Sequence, residues 1–415
     1  MTSKARRHVD DLRGASRLVI DAARGITSLV EAMHVAIASG PAVLGRPLQG
    51  AARITTAPVY SVVRGVMQLV GSGIDLALAL APWTRLLGAS APGIERETVQ
   101  SALNAVVGDH LHDTNNPLAI AMRLRHGGAP IELAPEPVHR ALPDATAKLV
   151  VLIHGLGGTD LQWSRSGHDH GAALARDLGY TPVYVHYNTG RHISSNGREL
   201  AAQLEALTRA WPVAIREIVL LGHSMGGLVA RSACHAAEAA GHTWRPALRA
   251  LITLGTPHHG APLERHGNLF EQLLGSIHYV APFGRLSKIR SAGITDLRYG
   301  NVIDAHWHGV DRFAHGGDRR APVALPAGVA CYAIAGELAT AAGRALLGDG
   351  LVPVASAFGE HARPELALAF PEAHRWLAAA TDHMALLDSP AVYRTISTWL
   401  APGAIALPSD ATSTG

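Results

Sequence analysis

The chain has 415 residues, of which 48% are hydrophobic and 17% are charged, and its formal net charge is only +3. This composition supports a large buried core, and the length allows one large domain or two. The charge is nearly balanced, and no basic run is interleaved with aromatic residues, so nothing indicates a nucleic-acid-binding protein. The two cysteines, Cys234 and Cys331, lie far apart in apolar surroundings. They indicate two buried reduced thiols, although a disulfide stays open.

The first 125 residues are predicted to be helical and to carry no catalytic chemistry. Apolar residues recur at three- and four-residue steps over residues 9–39, and two further helices are predicted over about 55–87 and 94–111. We interpret residues 1–125 as an N-terminal extension that packs on the rest of the chain or between subunits. The alternative is a cap, or a surface that contacts lipid or an apolar substrate, and the largely uncharged residues 59–81 favour it slightly.

The N-terminus does not match the pattern of a secretory signal. Its basic residues are not followed by an uninterrupted apolar run, which argues against a secretory signal. The longest apolar run, residues 66–82, is interrupted by Gln68 and Asp75 and falls short of the roughly 20 apolar residues of a spanning helix. We therefore expect a soluble, cytoplasmic protein, and contact of its N-terminal helices with a membrane surface stays open.

From about residue 129 the pattern changes from helical to mixed. Ile131, Leu133 and Val138, interspersed with prolines, predict short edge strands. Strands and helices then alternate, which is typical of a mostly parallel sheet with helices on both faces, and so of an α/β fold. The predicted strands are residues 148–153, 182–187, 217–221, 250–254, 329–335 and a last one near 374–379, and the predicted helices are residues 171–178, 197–210, 225–240 and 389–400.

A glycine-rich loop, HGLGG, follows the first buried strand and starts at His154. Its glycines allow the backbone to approach a substrate closely. In a strand-and-loop arrangement of this kind the loop supplies one backbone N–H to a developing oxyanion, here that of Leu156. A plain glycine turn is the alternative for this motif taken by itself.

The segment EIVLLGHSMGGLVARS places Ser224 between a short apolar strand and a helix. Its core, GHSMG, fits the G-x-S-x-G pattern of a nucleophile elbow, in which the serine occupies a strained turn. The flanking glycines let the strand and the helix pass closely. The N–H of Met225, at the start of the helix, is the second predicted oxyanion donor.

Residues 262–326 separate two predicted strands and form an unusually long insertion. Within it, residues 264–279 are predicted to form a helix with one apolar side. We interpret the insertion as a lid over the site. The tail, residues 403–415, is rich in Ala, Pro, Ser and Thr and is predicted to be disordered.

The acid and the base of a catalytic triad are predicted further along the chain. Asp349 lies in GDGLVP after the strand 329–335, and His383 lies in TDHM before the last helix. Both follow Ser224 in the order that this type of triad requires. The carboxylate would orient the imidazole, and the imidazole would take the serine proton. Poorer rivals are Asp304, Asp311 and Asp318 for the acid, and His361 and His374 for the base.

The chain contains 24 histidines, and several others besides His383 are candidates for a role. The pairs 110/112, 168/170 and 306/308, with aspartates nearby, could bind a metal, but they lack the spacing of a zinc-binding helix, so we expect no metal. A second group of residues is predicted to line a substrate pocket: His154, Gly155, His223, Asn188, His258 and His259.

The segments HGLGG, GHSMGG, GDGLVPV and TDHMALL together resemble those of the α/β-hydrolase superfamily, and within it the bacterial serine lipases and esterases. LITLGTPHHGAP also resembles the TPHxG stretch that many of these lipases carry. The resemblance covers roughly residues 130–402. It implies an α/β-hydrolase fold, with residues 126–402 as the hydrolase domain, and serine-hydrolase chemistry without a specified substrate.

We therefore predict a serine hydrolase that cleaves carboxylic esters with an apolar acyl chain and needs no cofactor. Thioesterase or acyltransferase activity on the same acyl-enzyme stays open. A protein of another class, a non-enzymatic scaffold that binds lipid or a partner, is disfavoured because such a scaffold has no need of a triad and two glycine-rich loops.

Overall fold

The computed structural model of the chain describes residues 93–261, 290–312, 317–338 and 348–403, together with Gly14 and Arg17. Of these, residues 96–110 and those from 120 onward form the main compact unit, and residues 93–95 and 111–119 belong to a second one. The helices predicted over 9–39, 55–87 and 264–279 lie outside the described residues, and so does nearly all of the tail after 402.

The main unit is built on one eight-stranded sheet with the strand order β2-β1-β4-β3-β5-β6-β7-β8. Strands β3 to β8 are parallel, and β1 pairs antiparallel with both β2 and β4. The strands are β1 Arg123–His126, β2 Ala129–Pro130, β3 Lys148–Ile153, β4 Thr181–His186, β5 Glu217–His223, β6 Leu248–Leu254, β7 Ala330–Glu337 and β8 Arg375–Ala379. All six strands predicted from residue 148 onward are present.

The central strands are apolar throughout because both faces of the sheet are buried. In β3, Leu149 and Val151 point into the core on one face, and Val150 and Leu152 point into the core on the other. All four side chains are fully buried. Because successive side chains point to opposite faces, a run of consecutive apolar residues packs against the helical layers on both sides of the sheet.

Helices cover both faces. The described helices are α1 Gly93–Asp113, α2 Pro135–Ala141, α3 His170–Leu178, α4 Ile193–Ala210, α5 Met225–Ala240, α6 Ala292–Asp296, α7 Val354–Ala357 and α8 Pro390–Leu400. Helices α3 and α8 contribute side chains to the core on one face, whereas α2, α4 and α5 contribute to the other. Capping fixes their ends: Asp169 accepts from Ala172 N at 2.9 Å, and Ser389 accepts from Val392 N at 3.4 Å.

Residues 96–110 of α1 belong to the main unit although they precede the predicted domain boundary at 125. Their apolar residues Ala102, Ala105 and Val106 enter the core on the α4 and α5 side, and Asn104 Oδ1 accepts from Ile120 N at 3.0 Å. The division into 1–125, 126–402 and 403–415 stays a prediction because most of the first segment lies outside the described residues.

The segment with interspersed prolines differs from the expectation of short edge strands. Ile131 and Leu133 lie outside any strand, and Val138 is buried inside α2. Proline is suited to the first turn of a helix, where its missing N–H removes no hydrogen bond. Pro135 and Pro137 therefore mark the start of a helix, and the edge of the sheet is formed by β1 and β2 instead.

The described part of the predicted lid packs against the start of α4 and forms hydrogen bonds with it. Asp296 Oδ2 accepts from Ile193 N at 2.9 Å and contacts His192 Nδ1 at 3.0 Å, so it caps the start of α4. Trp307 stacks on His192 with ring centroids 3.7 Å apart. Residues 262–289 of the insertion lie outside the described residues, so a lid function stays a prediction.

Two further findings concern the whole described chain. No helix within it is long and apolar enough to cross a membrane. Cys234 and Cys331 are both free and buried, and burial raises the pKa of each thiol to about 12. The pair is therefore present as two protonated thiols, as expected, and not as a disulfide.

Candidate active site

Ser224 occupies the turn between β5 and α5 in a backbone conformation that side chains rarely adopt. Its φ is 53° and its ψ is −125°, a combination that costs on the order of 1–3 kcal/mol. Its N–H donates to Leu254 O at 2.8 Å, which ties the turn to the neighbouring strand. The side chain is 4% exposed. This is the strained turn between strand and helix that the G-x-S-x-G pattern predicts for Ser224.

The two glycines of the motif are required by close contacts of the backbone. A Cβ on Gly226 would overlap the carbonyl oxygen of Ile153, and a Cβ on Gly222 would lie 2.5 Å from Gly227 N. Distances below 3 Å to backbone atoms leave no room for a side chain. The strand and the helix can therefore flank Ser224 only because these positions are glycine.

Asp349 and His383 form a buried hydrogen-bonded pair. His383 Nδ1 lies 2.7 Å from Asp349 Oδ2, and the two residues are 3% and 2% exposed. Asp349 Oδ1 accepts from the N–H groups of Leu351 and Val352 at 2.9 and 2.8 Å. The second pair of hydrogen bonds fixes the carboxylate, and the carboxylate holds the imidazole with its proton on Nδ1.

The other imidazole nitrogen is the one that the predicted mechanism would use. His383 Nε2 is buried and has no hydrogen-bond partner among the described residues, so the contact with Ser224 Oγ is not formed. The three side chains still converge on one corner of β6. Ser224 is bonded to Leu254, and a Cβ on the adjacent Gly255 would lie 2.8 Å from Asp349 Oδ2 and 3.1 Å from His383 Nδ1.

The two predicted oxyanion donors, Met225 and Leu156, belong to segments that lie next to Ser224. Met225 is the first residue of α5, where a helix supplies no acceptor for the N–H. Leu156 follows Gly155, on which a Cβ would lie 2.9 Å from Ser224 Cβ. The loop is fixed by Gly157 N, which donates to Thr189 Oγ1 at 3.1 Å. This role of Thr189 was not predicted from the sequence, although its position in the loop after strand β4 could have indicated it.

His223 and His154 hold the loops that carry the site. His223 Nε2 lies 3.0 Å from the carbonyl oxygen of His383, and His154 Nδ1 lies 2.9 Å from that of Gly155. His154 also stacks on Tyr187 with centroids 4.5 Å apart. Burial lowers the pKa of His154 to about 3 and that of His223 well below its ordinary value. Both rings are therefore neutral at pH 7 and act as uncharged hydrogen-bonding groups.

The remaining residues predicted to line the pocket have partners within the protein. Asn188 Nδ2 donates to Gly108 O at 2.8 Å, and its Oδ1 accepts from Gly190 N at 3.0 Å. His258 contacts Arg231 and Thr253, and His259 contacts Gly359 O and Arg320. None of these hydrogen bonds reaches the triad residues. Contact of these side chains with a substrate stays a prediction.

The rival acids and bases lie in other networks. Asp304 accepts from Ser194 Oγ at 2.6 Å and pairs with Arg198, and Asp318 pairs with Arg320. His374 Nδ1 lies 3.1 Å from Cys331 O, near the amino end of β7, and so at the opposite end of the sheet from Ser224.

No group of three metal-binding side chains occurs in the described part of the chain. In the pair 168/170, the rings hydrogen-bond each other, with His168 Nε2 2.8 Å from His170 Nδ1. His306 Nε2 contacts Ala321 O at 2.9 Å. These nitrogens are used in hydrogen bonds within the protein.

Several known proteins are similar to this chain in sequence or in fold. A family model described as a PGAP1-like alpha/beta domain matches residues 144–322, and no curated protein matches the chain. Among solved structures, the mature form of the lipase BlEst2 from Bacillus licheniformis is 20% identical over 61% of this chain and 90% of its own, with a TM-score of 0.38. The esterase Pf2001 from Pyrococcus furiosus is 15% identical over 62% of this chain and 82% of its own, with a TM-score of 0.37. YbtT, a type II thioesterase from the yersiniabactin NRPS/PKS biosynthetic pathway, is 19% identical over 63% and 95%, with a TM-score of 0.38.

The mostly parallel sheet, the strained serine between β5 and α5 and the family model over residues 144–322 show an α/β-hydrolase fold.

Proposed function

We propose that the protein is a serine hydrolase that cleaves carboxylic esters through an acyl-enzyme on Ser224. The observation that carries this proposal is the buried pair of His383 and Asp349, whose remaining imidazole nitrogen has no partner among the described residues, beside a strained serine. A buried, unpaired nitrogen is costly in a protein that only binds, whereas it is what a general base needs.

The reaction follows from the positions of these groups. His383 Nε2 takes the proton of Ser224 Oγ while the oxygen bonds to the ester carbonyl carbon. The carbonyl oxygen gains the negative charge and accepts hydrogen bonds from the N–H groups of Leu156 and Met225, each worth about 10²–10³ in rate. The imidazolium then gives its proton to the alkoxide leaving group, and the carbon–oxygen bond of the ester breaks.

Water completes the cycle. His383 takes a proton from a water molecule whose oxygen attacks the acyl-enzyme, and the carboxylic acid leaves as Ser224 Oγ regains its proton. Asp349 stabilises the imidazolium in both halves. All proton transfers use groups of this chain, and no cofactor is required. An alcohol in place of water would make the protein an acyltransferase, and a thioester in place of the ester a thioesterase.

The test compares wild type with Ser224→Ala on nitrophenyl esters of increasing acyl length, on the matching acyl thioesters, and with a fluorophosphonate label. Ser397→Ala on α8, away from the triad, is the matched control. We expect Ser224→Ala to lose the label and on the order of 10⁶ in kcat, and the control to keep both. The length of the longest acyl chain that the enzyme hydrolyses tests the proposal that the substrate has an apolar acyl chain. A wild-type protein that takes no label and cleaves no substrate would favour a non-enzymatic scaffold.

We also propose that the N-terminal helices contact a membrane surface. Support for this comes from the largely uncharged residues 59–81, whose charged side chains are Arg64 and Asp75 and which lie outside the described part. Flotation with liposomes, with and without residues 1–92, tests it. Loss of flotation on truncation is expected, and unchanged flotation would leave these helices a packing role only.

A further inference from the structure

A small cavity separate from the triad lies between the segment after β6 and the far end of the insertion. None of the triad residues contributes to its wall, which is formed by Arg231, His258, His259, Gly300, Val302, His306, Arg320, Ala321, Val323 and Leu366. Its volume is about 10 Å³, which is room for one particle of the size of water.

Arg231, on α5, brings a buried charge to this cavity without a carboxylate. The residue is 5% exposed. Its Nη2 donates to Val323 O at 2.8 Å, and its Nη1 lies 3.3 Å from His258 Nδ1. Its Nε is buried and has no partner within the described residues. Both of the partners that it has are neutral.

The charge of Arg231 persists at neutral pH. Burial and the nearby Arg320 lower the pKa of Arg231, but only to about 10. A buried guanidinium without a counter-ion is among the most costly arrangements in a protein. An anion bound beside buried Arg231 would therefore stabilise the protein more than an anion beside an exposed arginine.

The neighbouring groups do not supply that anion. Arg320 forms a bidentate pair with Asp318, with Nη2 at 2.8 Å from Oδ2 and Nε at 3.0 Å from Oδ1. This carboxylate is therefore already matched to one guanidinium. Among the described residues around the cavity, two guanidinium groups face one carboxylate, and one positive charge is left over.

The three histidines of the wall are neutral and cannot balance the charge. Burial lowers the pKa of His259 and His306 to about 4 and that of His258 well below its ordinary value. Nδ1 of His258 and of His259 faces an arginine donor, so each ring accepts there and carries its proton on Nε2. The wall therefore offers donors and one excess positive charge.

We propose that this cavity is a binding site for a single monatomic anion, chloride or bromide, held by the guanidinium of Arg231. The volume of the cavity limits the ligand to a monatomic anion, since phosphate, sulfate and carboxylates need several times the space of one water molecule. The bound anion neutralises Arg231 and so stabilises the corner formed by His258, His259 and residues 300–306.

The first measurement is anion-dependent melting of the wild-type protein at constant ionic strength, with chloride replaced stepwise by gluconate. Binding to the folded state alone gives a saturable rise in melting temperature, on the order of a few degrees. Bromide should act like chloride, and sulfate should not. Equal melting temperatures in chloride and gluconate would overturn the proposal.

The second measurement locates the ion. Crystals of the wild type soaked in bromide should show an anomalous peak within hydrogen-bond distance of Arg231 Nε. A water molecule there in bromide-soaked crystals, or a carboxylate from another part of the chain, would overturn the proposal. This experiment needs no variant and does not depend on the proposed ester hydrolysis.

Variants separate the specific site from general salt effects. Arg231→Met should abolish the chloride response, and Arg231→Lys, which keeps the charge, should keep a weaker one. Arg176→Met removes an arginine whose side chain is 70% exposed, and we expect its response to equal that of the wild type. If Arg231→Met does not fold, the Arg231→Lys comparison and the bromide crystals decide.

Discussion

The hydrogen bonds of Asp349 are divided between two tasks, and this division decides what a substitution there would do. Oδ1 accepts from the N–H groups of Leu351 and Val352, and Oδ2 contacts His383 Nδ1. An asparagine can keep the first task, because its amide oxygen also accepts. It cannot keep the second, because its NH₂ group would face Nδ1 with a donor.

Asp349→Asn is therefore expected to fold normally and to lose activity. The amide donor forces the proton of His383 from Nδ1 to Nε2, and in that tautomer the ring cannot take the proton of Ser224. A loss of about 10⁴ in kcat is expected, with a melting temperature close to that of the wild type. The measurement is kcat on the preferred nitrophenyl ester, beside thermal melting.

Asp304→Asn is the matched control, because Asp304 is a rival acid that pairs with Arg198 and Ser194 instead. Its kcat should stay near the wild-type value. If Asp349→Asn keeps full activity and Asp304→Asn loses it, Asp304 in the insertion is the acid of the triad, and Asp349 is not.

At the scale of elements, the elbow depends on how closely α5 approaches β3. The carbonyl oxygens of Ile153 and His154 lie where a side chain on Gly226 would be. These oxygens belong to the end of a central strand, which cannot shift without disturbing its neighbours. The contact is therefore rigid on both sides.

Gly226→Ala should consequently destabilise the protein by about 1–3 kcal/mol or more and impair Ser224, which lies two residues away. The free energy of unfolding, measured with urea, and the rate of fluorophosphonate labelling report the two effects. Gly317→Ala is the control, because a Cβ there meets no atom within 4 Å, and it should change neither quantity. Wild-type stability in Gly226→Ala would show that the helix can move away from the strand.

How much of this fold the sequence specifies depends on the range of the interactions. The strands from β3 onward are apolar runs next to glycine loops, and such local patterns were sufficient to predict them. Ser224, Asp349 and His383 were predicted from their order along the chain and from their positions after predicted strands. The edge strands predicted around Ile131, Leu133 and Val138 were wrong, because a proline such as Pro135 is suited both to an edge strand and to the first turn of a helix.

Long-range pairings left no local pattern to read. Asp296 caps α4 at Ile193, 103 positions earlier in the chain, and Arg231 reaches Val323, 92 positions later. The same holds for Asn188, which was predicted to line a pocket and whose Nδ2 donates to Gly108 O, 80 positions earlier in the chain. An isolated polar residue indicates that a partner exists without indicating where it lies.

At the scale of the whole molecule, buried neutral histidines set the response to acid. His154, His170, His223 and His258 are each at most 2% exposed. Burial is the first cause of the lowered pKa in all four, to about 3 for His154, to about 4 for His170 and well below the ordinary value for the other two. In the unfolded chain the same side chains titrate near 6.5.

The sign of the effect follows from which state binds more protons. Between about pH 6.5 and 4 the unfolded chain holds protons on these histidines and the native protein does not, so stability rises with pH across this window. Each histidine adds a slope of about 1.4 kcal/mol per pH unit. The stabilisation is complete above pH 6.5 and is lost as the pH falls, so we expect the melting temperature to drop steeply between pH 7 and 5.

Urea unfolding at half-unit pH steps measures this slope, and single variants assign it. His170→Gln keeps a donor toward Leu386 O, which His170 Nε2 contacts at 3.0 Å, and should reduce the slope by about 1.4 kcal/mol per pH unit. His139→Gln, which changes an exposed histidine on α2, is the surface control. A free energy of unfolding that stays constant from pH 7 to 5 would mean that the native protein takes up these protons, and hence that the interior opens to water around them.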